Sequence, residues 1–246
     1  MLLAIDIGNT NLTLGYFHGR KLQREERLPT GTFKRLPAKY LRPAKKVIIS
    51  SVVPRLDGLL KRQIKQPCYF VDPCRMPLLK IRLKKKAEIG ADRLVNAVAV
   101  KLLYGGPAII IDFGTATTFC AVNKRGEYLG GVIAPGIELS RRVLHERTAK
   151  LPLIRLQRPA HVIGQDTVSA MTSGLVLGYA SLVEGLVKLI TEEMRQKYRQ
   201  KGIKVIATGG YAALINKFLK KRMQLDPHLT LKGLQLIAEE VFQWKN

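Results

Sequence analysis

The sequence predicts a layered α/β protein built from two related halves, and three observations carry that prediction. An apolar run closing in Asp-x-Gly occurs twice: Leu2-Leu3-Ala4-Ile5-Asp6-Ile7-Gly8-Asn9-Thr10 and Ala108-Ile109-Ile110-Ile111-Asp112-Phe113-Gly114-Thr115-Ala116, aligned at an offset of 106 residues. Each run leads into a second strand-like segment, a turn and a third strand, so each half opens on the same β-meander. Each meander then gives way to alternating helical and strand-like segments, the pattern of a helix-covered sheet. With 246 residues, 46% of them hydrophobic and 24% charged, the chain has apolar surface enough for a large buried core.

Taken in order, Leu2–Ile7 is rich in Leu and Ile and reads as a strand buried on both faces. Leu12–Phe17 follows it, then the turn His18-Gly19-Arg20. Lys46–Val53 reads as a strand, Pro54 marks the next boundary, an amphipathic stretch runs to Lys65, and Cys68–Val71 is strand-like again. In the second half Thr117–Val122 and the turn Asn123–Gly126 repeat the meander; a helical region covers about Ser169–Lys201, and Lys204–Ala207 is a strand running into Thr208-Gly209-Gly210. The boundary is expected near Tyr104–Pro107, giving domains 1–105 and 106–246 with a ligand cleft between them, the Asp-x-Gly turns facing one another across it. Gly174, Gly178 and Gly185 each cost a helix roughly 1 kcal/mol relative to Ala, which points to close helix packing, within the chain or across a dimer.

The chain carries 42 Lys+Arg against 18 Asp+Glu, a net charge of +24. Between Lys34 and Lys86 there are 16 basic and 2 acidic residues, so this stretch holds +14 of that total. A solvated basic face is one reading and nucleic-acid binding the other. Three cysteines without paired spacing argue against a disulfide framework or a zinc site, and the four histidines show no metal-ligand spacing. No secretory signal and no membrane span is expected, which fits a cytoplasmic protein.

The chemistry concentrates at the Asp-x-Gly turns. Successive backbone N–H groups with Thr and Asn side chains form an anion-binding nest suited to phosphate, and an Asp at a strand end can hold a hydrated divalent cation. Two such turns plus Thr208-Gly209-Gly210 after a third strand predict a nucleotide site. Neither GxxxxGK[ST] nor GxGxxG is present, which disfavours the P-loop and Rossmann solutions.

This arrangement resembles the superfamily of actin, the heat-shock ATPase chaperones, sugar kinases and acetate kinase, in which two duplicated ribonuclease-H-like domains clasp ATP in a central cleft. Asp6, Ile7, Gly8, Asn9, Thr10, Asn11, Leu12 and Thr13 look like the first phosphate motif, Asp112–Thr118 like the second, and Thr208–Gly210 like the adenosine motif. Within the superfamily, Gly90-Ala91-Asp92-Arg93, Gly130–Gly136, Arg147-Thr148-Ala149-Lys150-Leu151-Pro152, Gly164-Gln165-Asp166-Thr167 and Leu229–Gly233, in that order, are similar to type III pantothenate kinase.

That resemblance implies ATP-dependent phosphorylation of pantothenate, the first step of coenzyme A synthesis, by a homodimer using Mg²⁺ and a monovalent cation, K⁺ or NH₄⁺. It makes Asp92 the general base, Asp6 the residue that positions Mg²⁺ on the ATP phosphates, Asp112 the monovalent-cation ligand and Thr115 an ATP contact. Gly90, Ala91, Asp92, Arg93 and Thr167 become the pantothenate contacts. Arg93 is expected either to hold the pantothenate carboxylate or to steady Asp92. Thr167 has an alternative role as a helix N-cap. The approach to Gly90 reads Leu83-Lys84-Lys85-Lys86-Ala87-Glu88-Ile89, whereas family members often carry an aromatic residue and a Pro there. Relatives in this family also act as transcriptional accessory factors, so a nucleic-acid-binding homologue is the alternative function.

Overall fold

In a computed structural model that describes residues 1–243, the chain runs through eleven strands and eight α-helices. They are β1 (Leu2–Ile7), β2 (Asn11–His18), β3 (Lys21–Pro29), α1 (Ala38–Leu41), β4 (Lys46–Ser51), α2 (Pro54–Gln63), β5 (Cys68–Phe70), β6 (Lys80–Ile81) and α3 (Ala91–Leu103). Then follow β7 (Ala108–Phe113), β8 (Ala116–Val122), β9 (Glu127–Pro135), α4 (Ile137–Glu146), α5 (Thr167–Ser173), α6 (Tyr179–Gln196), β10 (Lys204–Thr208), α7 (Ala212–Asn216), β11 (Gln224–Leu225) and α8 (Leu229–Val241). Two units result: Met1–Gly106 with Arg125–Gly130 and the chain from His228, and Pro107–Lys124 with Gly131–Pro227.

The first unit is a five-stranded sheet in the order β3-β2-β1-β4-β5. β1 lies at its centre, antiparallel to β2 and parallel to β4, which is why Leu2, Leu3, Ala4, Ile5 and Ile7 are all fully buried. Side chains alternate between the faces. Leu3, Ile5 and Ile7 join Val47, Ile49, Tyr40, Leu41, Leu56 and Leu60 in one core. The other face holds Ala4, Asp6, Ile48 and Ser50, and it is covered by α3 and α8. Pro54 opens α2 as its first residue, where its missing N–H costs nothing.

The second unit repeats the design. Its sheet has the order β11-β10-β7-β8-β9-β6, and β7 is again central, antiparallel to β8 and parallel to β10. Ala108, Ile109, Ile110, Ile111 and Phe113 are buried as their counterparts in β1 are. The two-residue β6 pairs with Glu127 and Tyr128 at the start of β9, residues that count with the first unit.

Three details depart from the sequence reading. The C-terminal helix α8 packs on β1 and α3, so the first unit takes back the chain's last helix. Its apolar face explains this: Leu231 lies over Gly15, and a side chain at Gly233 would strike the Val95 carbonyl of α3. A Cβ at Gly174, Gly178 or Gly185 would meet nothing within 4 Å among the described residues, so packing within the chain is not why these helical positions are glycine. Gly174–Gly178 form a π-helical turn between α5 and α6. Finally, residues 167–196 as one continuous helix are long and apolar enough to cross a membrane by length and composition, and 28% of the helix's apolar 18-residue window is buried inside the protein.

The three cysteines are free, and burial pushes the Cys68 thiol up to about 11. Two histidines serve structural contacts: His145 meets the Leu151 carbonyl and His228 the Glu25 carboxylate.

Candidate active site

In the first unit β1 ends at Ile7 and β2 begins at Asn11, so Gly8-Asn9-Thr10 form the connecting turn. The Gly8 N–H donates to the Asn11 carbonyl at 2.9 Å, and Asn9, Thr10 and Asn11 are exposed. Thr30, at the end of β3, pins this turn from below. Its hydroxyl donates to the Gly8 carbonyl at 2.7 Å and its N–H to the Thr10 carbonyl at 2.9 Å, with the Thr30 side chain buried. Sequence reasoning missed Thr30, since a Thr after a strand-ending Pro carries no local signal of a partner 22 residues away.

Asp6, Leu12 and Thr13 belong to the strands that flank the turn, with Asp6 paired to Thr13. On its other side Asp6 is in register with Ser50 of β4. The Ser50 hydroxyl is fully buried and has no hydrogen-bond partner among the described residues, an orphan that costs about 1–3 kcal/mol unless something satisfies it. The groups that fit a Mg²⁺–ATP complex here are the part-buried Asp6 carboxylate at the strand end and the exposed Asn9-Thr10-Asn11 turn beside it, hard oxygen and N–H donors of the kind such a complex takes.

The sheet face that carries Asp6 and Ser50 continues to Val52, whose N–H donates to the Ile7 carbonyl at 3.0 Å. Gly90 packs on Val52, and α3 starts at Ala91. The structure thus brings Gly90, Ala91, Asp92 and Arg93 to the same end of the sheet as the Asp6 turn. A Cβ at Gly90 would meet the Asp92 carboxylate, which folds back over the helix start and would have to move aside. That carboxylate accepts the Arg93 backbone N–H at 2.8 Å. Burial pushes the Asp92 carboxyl above its usual range, a rise only partly offset by that N–H and by the Arg93 charge. The Arg93 guanidinium lies 6.0 Å above the ring of Tyr128. An aromatic residue does therefore flank this corner, contributed by β9 rather than by the segment upstream of Gly90. In that segment Lys84, Lys85 and Lys86 are exposed, and Lys85 pairs with Glu88 at 3.1 Å.

In the second unit Gly114 and Thr115 form the turn between β7 and β8. Asp112 pairs with Thr118 on one side and Thr208 on the other. Gly209 follows Thr208 at φ +91°, and a Cβ there would lie 2.6 Å from the Phe113 nitrogen and 2.7 Å from an Asp112 carboxylate oxygen. Only glycine satisfies both the left-handed backbone and that approach. Gly136 donates its N–H to the Thr115 carbonyl at 3.1 Å, and a side chain at Gly136 would run into the same carbonyl. The structure therefore gathers Asp112, Thr115, Gly136 and Gly209 around one turn.

Glu138, two residues later on α4, locks this corner. Its carboxylate accepts from Arg141 at 2.6 and 2.9 Å, from Arg142 at 2.9 Å and from the Tyr211 hydroxyl at 2.9 Å. Arg141 above all, with help from Arg142 and Tyr211 and against some burial, lowers the Glu138 carboxyl from 4.5 to about 2. The Glu-x-x-Arg-Arg spacing was readable as a helical ion pair; the Tyr211 contact was not.

Thr167 is the first residue of α5, exposed, and Asp166 is the N-cap. The Asp166 carboxylate accepts the Ser169 N–H at 2.8 Å and the Ser169 hydroxyl closes the capping box, so the cap role considered for Thr167 belongs to its neighbour.

Solved structures share this fold. A Campylobacter jejuni protein assigned to the Baf family of transcriptional activators superposes with a TM-score of 0.65 at 20% identity, covering 98% of this chain and 100% of its own. The ADPNP-bound activator of 2-hydroxyisocaproyl-CoA dehydratase from Clostridium difficile does so at 0.51 and 13% identity, over 100% of this chain and 98% of its own. Component A of (R)-2-hydroxyglutaryl-CoA dehydratase from Acidaminococcus fermentans gives 0.53 at 13% identity, over 96% and 95%. Two units with the same central strand, each turning through Asp-x-Gly, place the chain in the actin-like class of duplicated ribonuclease-H-like folds that includes the sugar kinases. The sequence profile of type III pantothenate kinases matches residues 2–189, and the chain belongs to that family.

Proposed function

We propose that this kinase transfers the γ-phosphoryl group of ATP to the primary hydroxyl of pantothenate, giving 4′-phosphopantothenate and ADP. The observation that carries the reading is Asp92, a part-buried carboxylate with a raised pKa, at the sheet end where Asp6 and the orphan Ser50 hydroxyl also lie. Mg²⁺, when bound with ATP, would neutralise part of the phosphate charge. The Asp6–Thr13 turn and Thr115 would contact the nucleotide, and Asp6 would hold the hydrated Mg²⁺ that comes with it. Gly90, Ala91, Arg93 and Thr167 orient pantothenate, and Asp92 accepts the hydroxyl proton as the new O–P bond forms and the bond to the ADP oxygen breaks. Asp112 would hold K⁺ or NH₄⁺.

A homodimer accounts for the open glycines of the 167–196 helix and for exposed Ile133, Val162 and Ile163. The test of the whole reading is coupled ADP release with ATP and Mg²⁺, with and without pantothenate, in K⁺ and in Na⁺ alone. Pantothenate-dependent turnover that rises with K⁺ is expected, and Asp112→Asn should lose the K⁺ response. Folded protein without turnover in either salt would overturn the assignment.

The basic stretch favours a second reading, a nucleic-acid-binding homologue, in keeping with the fold shared with the Baf-family protein. It demands DNA affinity that falls steeply with salt. An absent or salt-insensitive gel shift removes it.

A further inference from the structure

The second unit contains a cavity of about 460 Å³ that none of the kinase residues lines. It exists because the sheet edge is incomplete. β11 pairs only with Ile206 and Ala207 of β10, so the chain at Leu219–Met223 bows away and leaves a gap between itself, the start of β10 and one face of α6. The walls are apolar, from Val183, Val187, Val205, Leu219 and Met223. The mouth is cationic, with Lys188, Lys204, Lys220, Lys221 and Arg222. The one carboxylate there, Glu184, already accepts the Lys220 backbone N–H at 2.5 Å. Among the described residues no ion pair engages Lys188 or Lys221, and both side chains are exposed.

We infer that this cavity binds an anionic amphiphile, a linear aliphatic chain ending in a carboxylate or a phosphate. An apolar body is needed to displace water from the valine and leucine walls, and an anionic head is needed to meet the lysine rim. A merely solvated basic surface has no reason to ring an apolar hollow of small-molecule size. Lys204 and Thr208 are opposite ends of β10, about 13 Å apart at roughly 3.3 Å per residue, so the ligand leaves the Asp112 turn open.

The test is fluorescence titration of the full chain with 11-(dansylamino)undecanoate. Saturable, blue-shifted emission is expected, displaced by dodecanoate or dodecyl phosphate; the better competitor identifies the head group. Dodecyltrimethylammonium, acetate and inorganic phosphate should not displace it. Val187→Trp fills the hollow and should abolish saturable binding. Lys188→Glu with Lys221→Glu should weaken it at least about tenfold, since the lining then carries three carboxylates against three cations instead of one against five and loses its attraction for the head. The same reversal at Lys34 and Arg35, exposed in the other unit, should leave it unchanged. Absence of saturable binding, displacement by the cationic detergent, or unchanged affinity in the double lysine variant would each overturn the proposal. The double variant decides if Val187→Trp fails to fold.

Discussion

The two Asp-x-Gly turns are the same strand pairing set in opposite surroundings. Asp6 and Asp112 both sit on a central strand, one residue short of its end, between an antiparallel and a parallel neighbour. Around Asp112 backbone fills the space: Gly209 and Gly136 press against the turn, and Glu138 ties α4 to Tyr211. Around Asp6 side chains do the work, with Thr30 beneath the turn, a bare Ser50 hydroxyl alongside and the start of α3 nearby. One duplicated frame has become a rigid corner in one copy and a corner with an unsatisfied donor and a displaced pKa in the other. Reactive groups collect in the second kind of place.

The largest effect that could break this contrast is at Asp92. Asp92→Asn should lower kcat by about 10²–10⁴-fold. Because an ionised carboxylate with a raised pKa costs stability above its unfolded pKa, the variant should melt no lower than the parent at pH 7. Wild-type turnover should fall as pH drops through the raised Asp92 pKa. A variant with near-parental kcat would show the wrong base had been chosen.

A pair of glycine substitutions sharpens the comparison next. Gly209→Ala forces a side chain into a left-handed backbone, roughly 1–3 kcal/mol, and against the backbone of Phe113, so it should lower the melting temperature markedly. Gly90→Ala clashes with the movable Asp92 carboxylate and otherwise makes an ordinary contact with Val52, so it should keep the fold and lose turnover. Equal melting losses in the two variants would contradict the distinction between a backbone-filled and a side-chain-filled corner.

Thr30→Val is a smaller step. It removes one hydrogen bond worth about 1 kcal/mol and should raise KM for ATP more than it lowers kcat; thermal melts with ATP kinetics would show it. The smallest effect is at Glu138. Its folded pKa lies below the unfolded one, so its stabilisation is complete above about 4.5 and is lost as pH falls toward about 2. Glu138→Gln should melt slightly lower at pH 7, and the two melting curves should converge on acidification. A gap that persists at the acid end would remove the ion-pair explanation.

The fold was legible wherever periodicity is local. Both central strands, both meanders and the Pro54 boundary announce themselves, because an Ile-rich run has nowhere to go but the middle of a sheet. The two Asp-x-Gly turns were legible because they occur twice. Contacts distant in sequence were not. Thr30 under Gly8, Tyr211 on Glu138 and Tyr128 beneath Arg93 are side chains whose partner is chosen by tertiary packing. The helical glycines had an evident cost but no evident direction, and open space above them rules out only one of the two readings.

The return of α8 to β1 also dictates the order in which the chain can mature. On the ribosome an N-terminal domain ordinarily folds while the rest is still being made. Here the face of β1 and β2 that Leu231 covers stays wet until more than two hundred further residues have been synthesised, and the pairs Arg20–Glu239 and Glu25–His228 cannot close before then. The second unit has all its strands before α8 exists, so the half encoded first is the half completed last.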